Sequence, residues 1–262
     1  MRLLLTNDDG INSPGLLLLA GALRKAGHRV FVLAPSADRS GVSHSITFLN
    51  GPNKIVQVDN DTWSCDGTPV DCVVIGLMGG LPECAPFDAI VSGINRGANL
   101  GTDLVYSGTA AAARQGALCN IPSLALSLVE GTSSKEGAPS KEGDTWYWDM
   151  AVAFTEERLA EMLAFWKPDC FVNVNIPGQK EIPHGLVHAF PSLRYYNDSI
   201  ETYYAPDGQR YCFARSGAVS AKPEKGSDWE AVTGNNASIS DILIHPALLG
   251  RYDVWKQVRM EQ

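Results

Sequence analysis

Residues 1–35, MRLLLTNDDGINSPGLLLLAGALRKAGHRVFVLAP, decide the fold class of the chain. Residues 3–6 are a short apolar run, which predicts a strand buried on both faces of a parallel sheet. Residues 15–26 have the composition of a helix that ends at Gly27, and residues 29–34 predict a second strand. A strand, a helix and a strand in this order form a βαβ unit, in which the strands are parallel and the crossover is right-handed.

The same alternation continues through the first two thirds of the chain. Further strands are predicted at 55–58 and 62–65 (a hairpin), 88–92, 123–128 and 170–175, and further helices at 68–78, 108–119 and 145–166. This pattern predicts an α/β fold with a doubly wound, mostly parallel sheet and helices on both faces.

Two stretches interrupt the alternation. Residues 131–143 are polar and glycine-rich and contain SKEG twice, which predicts a surface loop. From residue 182 onward the pattern is irregular and strand-like, with many tyrosines. We therefore expect one domain over 1–262, with a core at about 1–181 and an extended hairpin and C-terminal arm at about 182–262. Such a tail cannot bury itself, so it packs on the core or on a partner subunit.

The composition excludes several classes of protein. The chain has 262 residues, of which 45% are hydrophobic, and a formal net charge of −8. An acidic surface disfavours duplex nucleic acid and polybasic membrane binding, because phosphate groups repel it. No apolar run reaches the roughly 20 residues that a bilayer requires, and the first residues lack the apolar core of a signal peptide. The six cysteines form no CxxC pair, so we expect a cytoplasmic protein with buried thiols.

Polar residues follow the first two predicted strands. Asp8 and Asp9 come directly after the first strand, and adjacent carboxylates repel each other unless a cation lies between them. Mg²⁺ or Mn²⁺ is the natural candidate, since hard cations prefer oxygen ligands, although a surface Asp-Gly turn has the same sequence. Ser40, Ser43 and His44 follow the second strand, and they could bind phosphate or metal or form an ordinary loop.

Two more polar segments follow later strands. Residues 92–101, SGINRGANLG, contain three glycines and offer Asn95 and Asn99 as neutral ligands or donors. Residues 107–109, SGT, open an alanine-rich helix, whose free N–H groups could bind an anion. The serine of this segment serves equally well as an N-cap.

The carboxyl ends of parallel strands lie at one edge of a sheet. Four polar loops that follow successive strands should therefore meet at one rim, and together they predict metal-dependent chemistry on a phosphate. The sequence lacks the motifs of a P-loop, of an α/β-hydrolase nucleophile and of a dinucleotide-binding glycine loop.

These segments closely resemble the SurE (survival protein E) family of metal-dependent 5′/3′-nucleotidases. The resemblance rests on LLTNDDGINSPG (4–15), APSADRSGVSHSIT (34–47), CDGTPVDCV (65–73), VSGINRGANLGTDLVYSGTAAAAR (91–114), IPSLALS (121–127) and FVNVNIP (171–177). The loop at 131–143 resembles an insertion, and the tail at 227–242 departs from the family pattern.

The resemblance implies a Rossmann-like core and a C-terminal hairpin or arm exchanged between subunits of a homodimer or homotetramer. It also implies hydrolysis of nucleoside 5′- and 3′-monophosphates to nucleoside and phosphate, with exopolyphosphatase as a further activity. The family's metal ligands fall on Asp8, Asp9, Ser40 and Asn95. These residues would hold one divalent cation per subunit, Mg²⁺ or Mn²⁺.

Two mechanisms stay open at this point. Either water attacks phosphorus in line at the bound ion, or Asp9 attacks and forms a covalent intermediate. His44 is the nearest candidate in sequence to protonate the leaving oxygen. The expected phosphate or substrate contacts are Ser43, Asn99, Ser107, Gly108 and Thr109.

Two other functions compete with this one. A nucleotide-binding sensor would keep the fold without turnover, but the intact set of four metal ligands disfavours it. A nicotinamide-dependent oxidoreductase is disfavoured because Asp8 and Asp9 stand where its glycine fingerprint would lie.

Overall fold

A computed structural model of the chain describes residues 1–81, 84–131, 146–215, 217, 219–221 and 224–246. Most of the predicted loop at 131–143 and residues 247–262 of the predicted arm lie outside the described residues. Among the helices that are described, none combines the length and the apolar character needed to cross a bilayer.

The elements of the described residues follow one another in the expected alternation. They are β1 (Arg2–Thr6), α1 (Pro14–Lys25), β2 (Arg29–Pro35), β3 (Ile55–Asp59), β4 (Thr62–Cys65), α2 (Pro69–Leu77), β5 (Ala89–Arg96), α3 (Gly108–Leu118), β6 (Ser123–Leu128), α4 (Trp148–Ala164), β7 (Cys170–Ile176), β8 (Leu186–His188), β9 (Arg194–Tyr196), β10 (Ser199–Tyr204), β11 (Arg210–Arg215), β12 (Val219–Ala221), α5 (Asp228–Thr233) and β13 (Ala237–Leu243).

Nine of the described strands form one sheet in the order β3-β4-β2-β1-β5-β6-β7-β13-β8. The strands from β4 to β7 pair in parallel, whereas β3 and β13 run antiparallel to their neighbours β4 and β7. Leu3 and Leu5 pack in a core cluster with α1 and α4, and Leu4 packs on the other face with α2 and α3. The predicted doubly wound fold, with helices on both faces, is confirmed.

Capping residues fix where three of the helices begin. Ser13 caps α1, and the Ser107 hydroxyl oxygen caps α3 by accepting the N–H of Ala110 at 3.0 Å. Thr68 and Asp71 form a reciprocal capping box at α2, in which each side chain accepts the backbone N–H of the other, at 3.2 Å and 2.8 Å. These contacts satisfy N–H groups that a helix leaves without partners in its first turn.

Strand β5 is longer than predicted. It continues past Ser92 to Arg96, and its pairing with β6 shifts register between Ser92 and Asn95. Gly93 lies in this irregular stretch with a φ of +124°, and a Cβ on it would lie 2.3 Å from the carbonyl oxygen of Leu126. The glycine-rich composition of this segment reflects a kinked strand end, which is why the pattern predicted a loop there.

The C-terminal region is partly integrated in the main sheet. β13 lies between β7 and β8, and α5 precedes it, so this region contributes to the core as well as to a peripheral hairpin. The hairpin is the antiparallel pair β10–β11, whose residues are exposed along both strands. Irregular hydrophobicity does not reveal which of these short strands joins the sheet.

All six cysteines lie within the described residues, and none of them forms a disulfide bond. Four of them are buried, as expected, and Cys119 is half-buried. Cys212 is exposed on β11, so the expectation of burial is wrong for that residue.

Candidate active site

The turn after β1 carries two aspartates and is held in shape by its own side chains. Asn7 Nδ2 donates hydrogen bonds to the carbonyl oxygen of Gly10, at 3.0 Å, and to Ser13 Oγ, at 2.8 Å. Gly10 has a φ of +95°, and a Cβ on it would lie 3.1 Å from the carbonyl carbon of Ala37. Glycine is therefore required here, and the turn holds both carboxylates at the carboxyl end of the sheet.

Asp8 is buried against the N-terminus of α3, with only 4% of its surface exposed. Its carboxylate accepts the backbone N–H of Thr109, at 3.1 Å, and the hydroxyl of Thr109. Gly108 makes this approach possible, because a Cβ on it would lie 2.8 Å from Asp8 Cβ. Burial raises the pKa of Asp8, and the hydrogen bonds from Thr109 oppose that change.

Asp9 carries a second, mostly buried carboxylate. Its Oδ2 accepts the backbone N–H of Arg96 at 3.0 Å. Burial and the charge of Asp8 raise the pKa of Asp9 to about 6, with the Arg96 N–H opposing them. No Lys, Arg or His side chain in the described part of the chain forms an ion pair with Asp8 or Asp9. The pair thus concentrates negative charge that a divalent cation would neutralise.

Ser40 and Asn95 are each held near the two aspartates by a neighbour in sequence. Arg39, which precedes Ser40, binds Asp8, and Arg96, which follows Asn95, binds Asp9. The backbone N–H of Arg39 donates to the carbonyl oxygen of Asp8 at 2.7 Å, which anchors the loop that contains Ser40. The Arg96 N–H bond to Asp9 does the same for the end of β5, next to Asn95. The four predicted metal ligands therefore belong to three segments that are hydrogen-bonded to one another.

The free oxygen atoms of these segments suit a hard cation. The Ser40 hydroxyl donates to Asp38 Oδ1 at 2.6 Å, which leaves the lone pairs of Ser40 Oγ available. Asn95 Nδ2 donates to the carbonyl oxygen of Gly97 at 3.0 Å, and Asn95 Oδ1 remains available as a ligand. No group of three or more His, Cys, Asp or Glu residues forms a metal site within the described ranges. Two carboxylates with two neutral oxygens nevertheless fit Mg²⁺ or Mn²⁺, which retain bound waters.

Candidate phosphate contacts surround the start of α3. The backbone N–H and hydroxyl of Ser43 donate to the carbonyl oxygens of Tyr106, at 3.0 Å, and Val105, at 2.7 Å. Ser43 is therefore attached to the segment that leads into Ser107. Both donors of Thr109 bind Asp8 in this structure, so a contact from Thr109 to phosphate stays a prediction.

Asn99 is buried beyond the end of β5 and is fixed by two neighbouring strands. Its backbone N–H donates to Asn175 Oδ1, and its side-chain Nδ2 donates to Ser127 Oγ, both at 2.8 Å. Its backbone carbonyl oxygen accepts hydrogen bonds from the amides of Asn173, at 3.0 Å, and Asn175, at 3.1 Å. This network orders the loop between β5 and α3, next to the candidate metal site.

A cleft of about 1020 Å³ opens beside Asp9. Its polar lining includes Asp9, Asp38, Ser40 and Arg96, and its aromatic lining includes Trp146, Trp148, Tyr196 and Trp229. The candidate metal site therefore opens into a space large enough for an organic molecule, with both polar and aromatic walls.

His44 does not belong to the lining of that cleft. Its Nε2 lies 3.1 Å from Gln115 Oε1, and its ring lines a second cavity of about 550 Å³ together with Arg114 and His245. Burial lowers the pKa of His44, and the hydrogen bond that its ring makes to Gln115 Oε1 opposes this. A role for His44 as the catalytic acid stays a prediction.

Comparison with known proteins identifies the family of the chain. A family model described as survival protein SurE matches residues 3–196. The chain belongs to the SurE family. It is 36% identical over 263 residues to a protein of Stenotrophomonas maltophilia (strain R551-3) named 5′-nucleotidase SurE, covering 98% of this chain and 94% of that one. A protein of Herpetosiphon aurantiacus with the same name is 38% identical over 247 residues, and the match covers 92% of each chain.

A crystal structure of a SurE protein from Aquifex aeolicus has a similar fold. It superposes with a TM-score of 0.78 at 32% identity, over 98% of this chain and 99% of that chain. The resemblance to the SurE family that the sequence motifs indicate is therefore confirmed, along nearly the whole length of the chain.

Several residues of this SurE site escaped the sequence analysis. Asp38 adds a third carboxylate, which binds Ser40, and its position two residues before Ser40 could have indicated such a contact. Trp146 and Trp148 pack partly buried against the core and also line the cleft. Their place beside the cleft depends on tertiary packing, which the sequence pattern does not reveal.

Proposed function

We propose that this SurE-family protein is a divalent-metal-dependent nucleotidase that hydrolyses nucleoside 5′-monophosphates to nucleoside and phosphate. The observation that carries the proposal is the Asp8–Asp9 pair, which forms no ion pair with any described residue and whose Asp9 lines a cleft. Relatives that match over most of their length are named 5′-nucleotidases, which supports the substrate class.

Asp8, Asp9, Ser40 and Asn95 would hold one cation per subunit, Mg²⁺ or Mn²⁺. When bound, this ion polarises a phosphoryl oxygen and lowers the pKa of a coordinated water. Thr109 fixes the orientation of Asp8 through its N–H and hydroxyl, and Asp38 orients Ser40. These contacts preorganise the ligands, as hydrogen bonds to metal ligands commonly do.

The chain's donors next to the cation bind the phosphate in this proposal. The Ser107–Gly108 step supplies groups at the N-terminus of α3, where the helix dipole favours an anion. Asn99 lies beyond the end of β5, and its backbone N–H and its Nδ2 bind neighbouring side chains, so its contact with phosphate stays a prediction. In this proposal water attacks the phosphorus in line, and Asp9 remains a ligand of the cation. His44 lines the second cavity and not the cleft, so its role as the acid that protonates the leaving oxygen stays a prediction.

Further properties are proposed from the family resemblance. They are hydrolysis of 3′-monophosphates, exopolyphosphatase activity, a cytoplasmic location and assembly as a homodimer or homotetramer. The hairpin β10–β11 supports assembly, because Ile200 and Tyr204 are 64% and 67% exposed and an isolated hairpin is marginally stable in water. Light scattering on the intact protein tests this: a mass of one chain at micromolar concentration contradicts it.

Phosphate release tests the catalytic proposal. The protein is treated with chelator and assayed on a panel of mononucleotides, with and without added Mn²⁺ or Mg²⁺. We expect activity only with added metal, and a loss of orders of magnitude in Asp8→Asn, because a hard cation loses one of two charged ligands. Glu157→Gln, which removes an exposed charge on α4, serves as the control. Full activity of Asp8→Asn at limiting metal contradicts the proposal.

A further inference from the structure

Arg96, Trp146 and Trp148 form a continuous stack in the wall of the cleft, called here the Arg96–Trp146–Trp148 stack. The Arg96 guanidinium lies 5.0 Å from the centre of the Trp146 ring. Trp146 in turn stacks on Trp148, with ring centres 5.7 Å apart and an angle of 21° between the planes. Gly15 accommodates Trp148, because a Cβ on it would lie 2.7 Å from Trp148 Cζ3.

The stack is tied directly to the candidate metal site. The backbone N–H of Arg96 binds Asp9 at 3.0 Å, so the guanidinium lies within the reach of one arginine side chain from the carboxylate, and its charge acts on Asp9. An arginine side chain and a nucleoside are of comparable length. A phosphate bound beside Asp9 would therefore bring the base of a nucleotide to the level of the guanidinium and the indole.

The Arg96 guanidinium is also free to bind a ligand. Among the described residues its guanidinium stacks on the Trp146 ring and forms no side-chain hydrogen bond or ion pair, while its positive charge lowers the pKa of Asp9. The other arginine–tryptophan pair in the cleft differs in this respect. Arg194 lies 5.0 Å from the Trp229 ring but is bound to the buried carboxylate of Asp103.

We infer that the nucleobase of the substrate stacks against the cleft-facing side of the Arg96–Trp146–Trp148 stack, and this inference rests on the proposed nucleotidase function. Aromatic rings and guanidinium planes bind bases through their π faces, which every base offers. Purines offer more area than pyrimidines, so the stack favours purine nucleotides. Arg96 and Trp146 thus act as specificity-determining residues, separate from the residues that hold the cation.

The test compares a substrate that has a base with one that lacks it. The values of kcat/KM are measured for AMP and for ribose 5-phosphate in the wild type, Trp146→Leu, Trp146→Phe and Arg96→Met. We expect the ratio of AMP to ribose 5-phosphate to fall by roughly 5- to 150-fold in Trp146→Leu and to be largely kept in Trp146→Phe. Trp166→Leu, at a tryptophan outside the cleft lining, should leave the ratio unchanged.

Each result decides the inference. An unchanged ratio in Trp146→Leu and Arg96→Met, or a wild type without preference for AMP, overturns it while the nucleotidase function stands. Trp229→Leu tests the Arg194–Trp229 pair in the same assay. If the ratio of AMP to ribose 5-phosphate falls in Trp229→Leu but not in Trp146→Leu, the base binds at that pair and the inference is overturned. If the wild type hydrolyses neither substrate, the proposed function fails and the inference falls with it. If Trp146→Leu does not fold by circular dichroism, Arg96→Met decides: a lower ratio supports the inference and an unchanged ratio overturns it.

Discussion

We expect Asp9→Asn to raise the free energy of unfolding of the metal-free protein at neutral pH. Burial and the charge of Asp8 raise the pKa of Asp9 from 3.8 to about 6, so the folded protein binds this proton more tightly than the unfolded chain does. At about 1.4 kcal/mol per pKa unit, ionising Asp9 in the folded protein costs roughly 3 kcal/mol. Asparagine removes the charge and keeps an oxygen that can accept the Arg96 N–H.

The pH dependence separates this charge from other effects of the substitution. Well below pH 3.8 the Asp9 carboxyl is protonated in both the folded and the unfolded protein. As the pH rises from 3.8 to about 6, the unfolded chain releases this proton before the folded protein does, so the wild type loses stability. The advantage of Asp9→Asn is therefore largest above pH 6 and falls to about half at pH 5.

Urea denaturation followed by circular dichroism measures the effect, in chelator, at pH 7.5 and pH 5.0. Glu157→Gln removes one negative charge at an exposed position of α4 and should change stability little. Added Mn²⁺ should stabilise the wild type more than Asp9→Asn, since a ligand of the folded state stabilises it by mass action. If Asp9→Asn is no more stable than the wild type in chelator at pH 7.5, the reasoning is refuted.

Three further predictions concern neighbouring contacts. Thr109→Val removes the hydroxyl bound to Asp8 and should lower metal affinity or activity about 10- to 100-fold, measured by Mn²⁺ titration, whereas Thr109→Ser should retain both. Gly108→Ala places a Cβ 2.8 Å from Asp8 Cβ, so phosphate release should be lost while the circular dichroism spectrum is kept; near-normal turnover would contradict this contact. Cys212, which is exposed, should be the first thiol to react with Ellman's reagent in the native protein, and Cys212→Ser should abolish that rapid phase.

The sequence predicted the elements whose signals are local. The apolar run of β1, the helical composition of the residues up to Gly27 and the alanine-rich α3 predicted the βαβ alternation and hence the parallel sheet. That alternation also predicted that the loops after successive strands meet at one edge of the sheet. The structure agrees for Asp9 and Ser40, which line the same cleft.

Features that depend on long-range packing could not be predicted in this way. Nothing local distinguishes β13, which enters the sheet, from β10, which stays outside it. The contact between Thr109 and Asp8 spans 101 residues of sequence, so the segment 107–109 indicated an anion site without revealing that part of it binds a carboxylate of the protein itself. The position of Trp146 beside Arg96 also depends on tertiary packing.

The place of β13 between β7 and β8 has a consequence for how the protein is made. During synthesis β7 is made about 60 residues before β13. The edge of β7 that faces away from β6 has no partner until residues 237–243 leave the ribosome. All seven residues of β7 are buried in the finished sheet, so the waiting edge is both apolar and open to pairing with other chains. An edge left unpaired during translation is a site at which nascent chains can aggregate, and this exposure ends only when β13 has been made.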